Sequence, residues 1–254
     1  MTLRESFVAF AVAAVFLQFW SSSTPAQTVS QPTALPGQDA VQKAIHDYIL
    51  EHPEVLIQSL RIGKEREQQR QAALGKSMIG SFKKELFEDE NAPVLGNPTG
   101  DVTMVEFFDY RCPYCRQMES SLQTLVKNDA GLRIVEKEFP ILGPASVYIA
   151  RVALAAHRQG KHKQFRDALM AKKANIDEGT VLKLAEEAGL DIDRLKSDMN
   201  SPEIGLEIDH TREIAKALRL SGTPAFIIGT ELVPGGTDLE TLRSLVDDAR
   251  HGLN

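Results

Sequence analysis

Hydrophobic and polar positions from residue 92 onward switch between strand-like and helix-like spacing. This pattern predicts strands at 92–95, 102–108, 132–139, 224–228 and 231–234. It predicts helices at 115–127, across most of 145–220 and at 239–249, with breaks at Gly160, Gly179, Gly189 and Pro202. The 132–139 run alternates like a half-buried strand. The order therefore predicts one α/β domain over residues 91–254, with a helical insertion at about 144–220.

A second pattern, an apolar stripe at helical spacing, occupies residues 39–60. Its members are Val41, Ile45, Tyr48, Ile49, Leu56 and Leu60, and Pro53 is expected to open a second helix at its first position. Residues 61–71 are almost wholly polar and predict an exposed helical spacer. The stripe must be covered, either by another copy of the chain or by folding back onto its own domain. We expect a homo-oligomer formed through residues 39–60, within an N-terminal segment that spans 27–90.

The first residues have the pattern of a secretory leader. Arg4 precedes an apolar run at 7–17, and small residues at 24–26 suggest cleavage near Ala26. The run is shorter than the roughly 20 residues that a spanning helix needs, which argues against an uncleaved membrane anchor. We expect residues 1–26 to be a signal peptide, the mature chain to begin near Gln27, and the protein to reach the bacterial periplasm.

Composition and net charge limit the classes of molecule that we expect this protein to bind. The 254 residues are 43% hydrophobic and 25% charged, with a formal net charge of -6, which is typical of a globular protein. A mildly acidic chain lacks the basic face that phosphate binding requires, so nucleic acid and anionic membrane surfaces are not expected partners.

The chain contains only two cysteines, Cys112 and Cys115. A bridge between them closes almost no loop and would stabilise the fold poorly, so the pattern indicates a reactive pair. They follow a predicted strand and open a predicted helix, and Pro113 suits the first helical turn. The helix N-terminus favours the thiolate of Cys112. We predict that Cys112 is an exposed nucleophile and Cys115 a buried resolving thiol.

Other roles for the pair remain open. No second cysteine pair or zinc-type histidine spacing accompanies it, so no metal site is assigned, although two thiolates can hold copper(I). An inert surface disulfide is a further alternative. Thr223-Pro224 opens a predicted strand, where a proline needs a special reason because it cannot donate a ladder hydrogen bond. An ordinary trans proline at a strand start is the alternative to such a special role.

The segments Glu106-Phe-Phe-Asp-Tyr-Arg-Cys-Pro-Tyr-Cys115 and Gly222-Thr-Pro-Ala-Phe226, separated by a helical block, resemble the DsbA family of disulfide oxidoreductases. The resemblance covers roughly residues 92–250 and implies a thioredoxin-like α/β fold with a helical insertion. It further implies a cis Pro224 beside the cysteines, with Thr223 exposing its backbone to substrate. Pro113 and Tyr114 would also face the substrate.

The same resemblance implies a buried Glu106 that assists proton transfer from the inner thiol; the alternative is a solvated strand residue. No cofactor is implied beyond the redox-active disulfide Cys112–Cys115. Exported proteins would be the substrates, and a membrane redox partner would reset the pair. Asp109 and Arg111 flank Cys112 and are candidates for tuning it by charge. His157, His162 and His210 fit solvated helix faces.

Residues Asp47-Tyr-Ile-Leu-Glu-His-Pro-Glu-Val-Leu56 resemble the N-terminal oligomerisation segment of the suppressor-of-copper-sensitivity C (ScsC) branch of that family. This branch implies disulfide isomerase or reductase activity and a link to copper tolerance. Pro113-Tyr114 and Thr223 are the choices of isomerase-type relatives, whereas strong oxidases carry Pro-His and Val. We therefore expect an isomerase or reductase; a DsbA-type oxidase and a copper-binding or copper-protecting module are the alternatives.

Overall fold

The structure, a computed structural model, describes residues 37–172 and 176–252. The predicted signal peptide and most of the lead-in that follows it lie outside these residues. Within the described ranges, no helix combines the length and the apolar character that crossing a membrane would require.

Ten helices and five strands occur in the described ranges. The helices are α1 (Gln38–Glu51), α2 (Pro53–Ser81), α3 (Lys83–Phe87), α4 (Pro113–Asn128), α5 (Pro144–Arg158), α6 (His162–Met170), α7 (Glu178–Glu187), α8 (Ile192–Met199), α9 (Pro202–Ala217) and α10 (Leu239–Arg250). The strands are β1 (Val94–Gly96), β2 (Val102–Phe108), β3 (Leu132–Glu138), β4 (Ala225–Ile228) and β5 (Glu231–Pro234). The order confirms the predicted α/β fold with helices inserted between β3 and β4.

The five strands form one mixed sheet in the order β1-β3-β2-β4-β5. β2 and β3 are parallel and are joined through α4, while every other neighbouring pair is antiparallel. β2 lies at the centre of the sheet, and its register places Glu106 beside Glu136 of β3 and Phe226 of β4. The segment that contains Cys112 and Cys115 therefore follows the most enclosed strand.

Helices cover both faces of the sheet. On one face, Met104, Ile134 and Phe226 pack against α4 and α10. On the other face, Phe107, Val135 and Ile227 belong to a cluster with the C-terminal end of α2 and with α3 and α9. Burial on both faces explains why the central strands are apolar at successive positions rather than only at alternate ones.

The inserted helices build a third cluster next to the cysteines. Apolar residues of α5 to α9 pack with Phe108, Tyr110, Cys112 and Cys115. Aspartates at the N-caps of α7 and α8 accept hydrogen bonds from the first-turn amides of Thr180 (2.7 Å) and Arg194 (3.0 Å). The insertion thus packs directly against the two cysteines.

Three sequence predictions are wrong in detail. β3 is not half-buried, because Ile134 to Glu138 are all buried between the helical layers. Gly179 does not break a helix: it lies in the first turn of α7. The first strand begins at Val94 rather than at residue 92.

Helix α1 and the first turns of α2 present apolar side chains to solvent in the single chain. Pro53 opens α2 as predicted, and α2 then continues without a break through the polar stretch 61–71 to Ser81. Val41, Ile45 and Tyr48 are more than half exposed, and α1 contains no buried residue. The chain divides into two compact units between Ser59 and Leu60.

Candidate active site

Cys112 lies where β2 gives way to α4. The strand ends at Phe108, the Cys112 amide donates to the carbonyl of Asp109 (2.9 Å), and the helix begins at Pro113. Cys112 is the N-cap residue, with φ −70° and ψ 122°, and no side chain caps the helix. The predicted position at a helix N-terminus is confirmed, so the unpaired amides of the first turn are directed towards the cysteine end of α4.

The sulfur of Cys112 is less open than the sequence suggested. Only 5% of the residue is exposed, because the segment Thr223-Pro224 lies against it. The Cys112 Sγ donates a hydrogen bond to the Thr223 carbonyl oxygen at 3.2 Å, and the Thr223–Pro224 peptide bond is cis. The prediction of an exposed Cys112 is therefore wrong, whereas the cis proline beside it is confirmed.

Cys115 lies one helical turn further along and is completely buried. Burial raises the pKa of its thiol, and the nearby Glu106 carboxylate raises it further. Both cysteines are free thiols in this structure. The inner thiol is therefore held in its protonated form, and its attack on a disulfide requires a group that takes its proton.

Glu106 is fully buried on β2, which rules out the solvated alternative. Burial raises its pKa to about 8; the positive charge of Arg166 opposes this shift, and Glu136 and Glu119 add to it. A carboxyl group that titrates near neutral pH next to Cys115 can both accept and return a proton.

A buried ionic cluster around Glu106 has no counterpart among the sequence predictions. Arg166 of α6 contacts Glu106, Glu119 and Glu136. His162 belongs to the same region: it is 5% exposed and lies 3.3 Å from the Tyr110 hydroxyl. The assignment of His162 to a solvated helix face is therefore wrong, because α6 packs this face against the sheet. Helical periodicity gave no signal that would have distinguished it.

Asp109 supports the cysteine turn through hydrogen bonds. It is 1% exposed, and its carboxylate accepts from the amides of Arg111 (2.8 Å), Ile141 (3.0 Å) and Leu142 (3.1 Å). The Arg111 guanidinium donates to the Leu142 carbonyl at 3.4 Å. Asp109 and Arg111, which were expected to tune Cys112 by charge, therefore both connect the cysteine turn to the loop after β3.

Replacing Asp109 with alanine is expected to destabilise the fold by roughly 3 kcal/mol, because three backbone amides lose a buried, charged acceptor. Urea unfolding measures the loss. Asp209→Ala is the matched control: Asp209 forms an exposed ion pair with Arg212 and should contribute at most about 1 kcal/mol. Equal losses in the two variants would show that Asp109 does not hold the turn.

The surface next to Cys112 can accommodate a polypeptide. Pro113 and Tyr114 are exposed, and Tyr114 and Thr223 line a cavity of about 710 Å³ with Met118, Gly236 and Leu239. A second groove of about 450 Å³ also borders Thr223 and is lined by apolar residues that include Leu74 and Leu220. The four residues predicted to contact substrate thus lie at or next to Cys112, but only Pro113 and Tyr114 are exposed. Thr223 and Pro224 are buried, so the expected exposure of Thr223 is wrong for the free protein.

Two protein-family models match parts of the chain. The DSBA-like thioredoxin domain matches residues 103–247, which include both cysteines and Pro224. The copper resistance protein ScsC N-terminal domain matches residues 38–73, which cover α1 and most of α2.

Solved structures support the same assignment. A thioredoxin-like oxidoreductase from Silicibacter pomeroyi is 48% identical, covers 66% of this chain and 97% of its own, and has a TM-score of 0.64. The thiol-disulfide exchange protein α-DsbA2 from Wolbachia pipientis is 30% identical, with coverages of 70% and 96% and a TM-score of 0.65. BcfH from Salmonella enterica Typhimurium is 25% identical, with coverages of 85% and 96% and a TM-score of 0.72.

The first curated relatives are much longer proteins. This chain spans 24–26% of the length of three Na⁺/H⁺ antiporters named NhaA, including one from Salinispora arenicola that is 29% identical over 161 residues. Both motifs are assembled around Cys112, and the family match covers more than half of the length of this chain. The chain therefore belongs to the DSBA-like thioredoxin family of thiol–disulfide oxidoreductases and carries an ScsC-type N-terminal domain.

Proposed function

We propose that this protein is a disulfide isomerase or reductase that acts on exported proteins in the bacterial periplasm. The observation that carries the exchange chemistry is the arrangement of the two thiols: Cys112 Sγ lies at the start of α4 against the Thr223 carbonyl, and Cys115 is buried one turn behind it. The isomerase or reductase direction rests on Tyr114 and Thr223, the choices of isomerase-type relatives. The leader-like residues 1–26 support the compartment.

The reaction begins when the Cys112 thiolate attacks a substrate disulfide. A Cys112–substrate bond forms, the substrate disulfide breaks, and one substrate sulfur leaves as a thiolate. In isomerisation, another substrate thiolate then attacks the mixed disulfide and restores Cys112 without net redox change. In reduction, Cys115 attacks Cys112 instead, its proton passes to Glu106, and the second substrate thiolate leaves.

The Thr223 carbonyl helps to hold the substrate in this scheme. In the free protein it accepts the Cys112 S–H at 3.2 Å. A substrate strand that pairs with the backbone at Thr223, a residue only 8% exposed in the free protein, would bring its disulfide to the same place. The cavity lined by Tyr114 and Met118 would receive the side chains that flank the substrate cysteine.

Two assays test the direction of the reaction. With scrambled ribonuclease and a trace of reduced thiol, we expect the protein to restore ribonuclease activity, and with insulin and excess dithiol we expect rapid reduction. The Cys112→Ser variant is the control in both. Fast oxidation of reduced ribonuclease without any activity on the scrambled form would instead establish the oxidase alternative.

Copper binding is a second candidate function, and the match of residues 38–73 to an ScsC N-terminal domain favours it. Two thiolates can coordinate copper(I), whereas the described residues contain no group of three or more His, Cys, Asp or Glu side chains placed to hold a metal. Copper(I) binding that needs both cysteines, in a protein that does not reduce insulin, would favour this function over the enzyme.

A further inference from the structure

One guanidinium group joins three carboxylates behind the cysteines. Arg166 of α6 lies with its Nη2 3.8 Å from Glu106 Oε2 and its Nη1 2.8 Å from Glu119 Oε1, and its Nε contacts Glu136 Oε1. Arg166 and Glu106 are 0% exposed and Glu136 is 1% exposed, while Glu119 reaches solvent. The four side chains come from β2, β3, α4 and α6, so only the folded domain assembles them.

The charges in this cluster do not balance. If Glu106, Glu119 and Glu136 were all ionised, one arginine would leave two uncompensated negative charges in a buried region, which is costly. Burial raises the pKa of Glu136 to about 7, against the lowering influence of Arg166. Burial therefore raises the pKa values of both Glu106 and Glu136, to about 8 and about 7, and the negative charge of Glu136 adds to the shift of Glu106.

The groups that face Glu106 come from every element packed on it. α4 supplies Cys115 and Glu119, β3 supplies Glu136, α6 supplies Arg166, and the neighbouring residue on β4 is the apolar Phe226.

Glu136 has further neighbours of its own. The His162 Nδ1 lies 3.5 Å from Glu136 Oε2, and the negative charge of Asp167 helps to raise the pKa of Glu136. Burial lowers the pKa of His162 well below its usual value, so this ring stays neutral. Within the described residues, Arg166 is thus the one cation that contacts Glu106 or Glu136 directly.

We propose that Arg166 and Glu136 are positioning residues that govern proton transfer between Glu106 and Cys115. The inference rests on the proposed thiol–disulfide exchange. Both carboxyl oxygens of Glu106 lack a hydrogen-bond partner among the described residues, so they remain available to the thiol proton. Arg166 favours the carboxylate form of Glu106, and Glu136 favours the acid form.

The proton moves once in each half of the cycle. When Cys115 attacks the mixed disulfide, its S–H proton passes to the Glu106 carboxylate, the Cys112–Cys115 bond forms, and the substrate sulfur leaves with the electron pair of the broken bond. When the thiolate of an external dithiol attacks Cys112 Sγ, a bond forms between the two sulfurs, the Cys112–Cys115 bond breaks, and Cys115 leaves as a thiolate that takes the proton back from Glu106. The opposed charges of Arg166 and Glu136 keep Glu106 able to do both near neutral pH.

The experiment measures the Cys115 step by itself. Reduced protein is mixed with an aromatic disulfide whose thiolate product absorbs visible light; Cys112 releases the first thiolate and Cys115 the second. The rate of the second release is followed against pH. In the wild type it should rise with pH as Glu106 becomes a carboxylate, and Glu106→Gln should remove this titration.

The variants should shift the midpoint in opposite directions. Glu136→Gln removes a negative charge beside Glu106 and should lower the midpoint by about one pH unit, whereas Arg166→Met removes the cation and should raise it by a similar amount. Glu207→Gln is the matched control: Glu207 is also partly buried, with a pKa raised to about 7, but it faces Asp89, Lys137 and Arg158 instead of the cluster. Its midpoint should stay at the wild-type value.

Each outcome decides the proposal. Midpoints for Glu136→Gln and Arg166→Met that stay at the wild-type value, or that move in the same direction, would overturn it. If Arg166→Met does not fold, Glu136→Gln and Glu119→Gln carry the test, and both must shift downward. Insulin reduction by the same wild-type preparation distinguishes failure of the proposed function from failure of this inference. If the wild type does not reduce insulin, the proposed function is refuted. If it does, but the midpoints of the variants do not shift, only the roles of Arg166 and Glu136 are refuted.

Discussion

The Cys115→Ser variant is expected to accumulate stable mixed disulfides with substrate proteins, while Cys112→Ser should form none and should reduce insulin no faster than a protein-free blank. The reason is the asymmetry of the site. Cys112 lies at the helix N-terminus beside the Thr223 carbonyl, whereas Cys115 is fully buried with the pKa of its thiol raised by burial. Without Cys115, the bond between Cys112 and the substrate has no internal thiol to resolve it.

Non-reducing electrophoresis and mass spectrometry of the trapped adducts measure this result. Alkylation of the reduced wild type provides an independent check, since a small neutral alkylating reagent should modify Cys112 well before Cys115. Adducts formed through Cys115, or equal labelling of the two thiols, would reverse the assigned roles.

Removing residues before Leu60 is expected to abolish most isomerase activity and leave insulin reduction intact. The removed segment carries exposed apolar side chains, among them Val41, Ile45, Tyr48 and Ile57. Burying each such side chain in an assembly contributes roughly 1.5–3 kcal/mol, so several per subunit can hold copies together. The remaining chain keeps the cysteines, Pro224 and the sheet, but a single site cannot readily retain a misfolded chain while its disulfides rearrange.

The structure dictates where the chain should be cut. A cut near residue 75 would divide α2 where it packs on the catalytic domain, because Gln71 accepts a hydrogen bond from Arg219 (3.0 Å), Lys76 pairs with Glu231 (2.8 Å) and Ile79 is buried. A cut at Leu60 follows the boundary between the two compact units instead.

Point variants provide a matched comparison. Leu56→Asp introduces a charge into the apolar stripe, and Gln58→Asp introduces the same charge two positions along α2, on a different face. We expect only the first variant to dissociate the oligomer in multi-angle light scattering and to lose activity on scrambled ribonuclease. A full-length protein that runs as a monomer, or a truncated monomer with full isomerase activity, would contradict the role assigned to residues 39–60.

The sequence by itself predicted a reactive cysteine pair and the order of the elements. Two cysteines three residues apart can neither stabilise a long loop nor form a closed zinc site, and their place between a β-rich run and a helical pattern put Cys112 at a helix N-terminus. Strand and helix periods are local properties of the chain, so β2, β5 and α10 could be located closely from the spacing of apolar residues alone.

Only the tertiary structure decided which polar residues are buried together. Glu136 and Glu138 are charged residues of a strand that the sequence predicted to be half-buried, and Arg166 and His162 look like one polar side of a short helix, yet all four are buried where α6 meets the sheet. The low exposure of Cys112 has the same origin, since the residue that covers it is 111 positions away. Periodicity reports one element at a time, whereas burial and charge pairing depend on surfaces contributed by elements far apart in the chain.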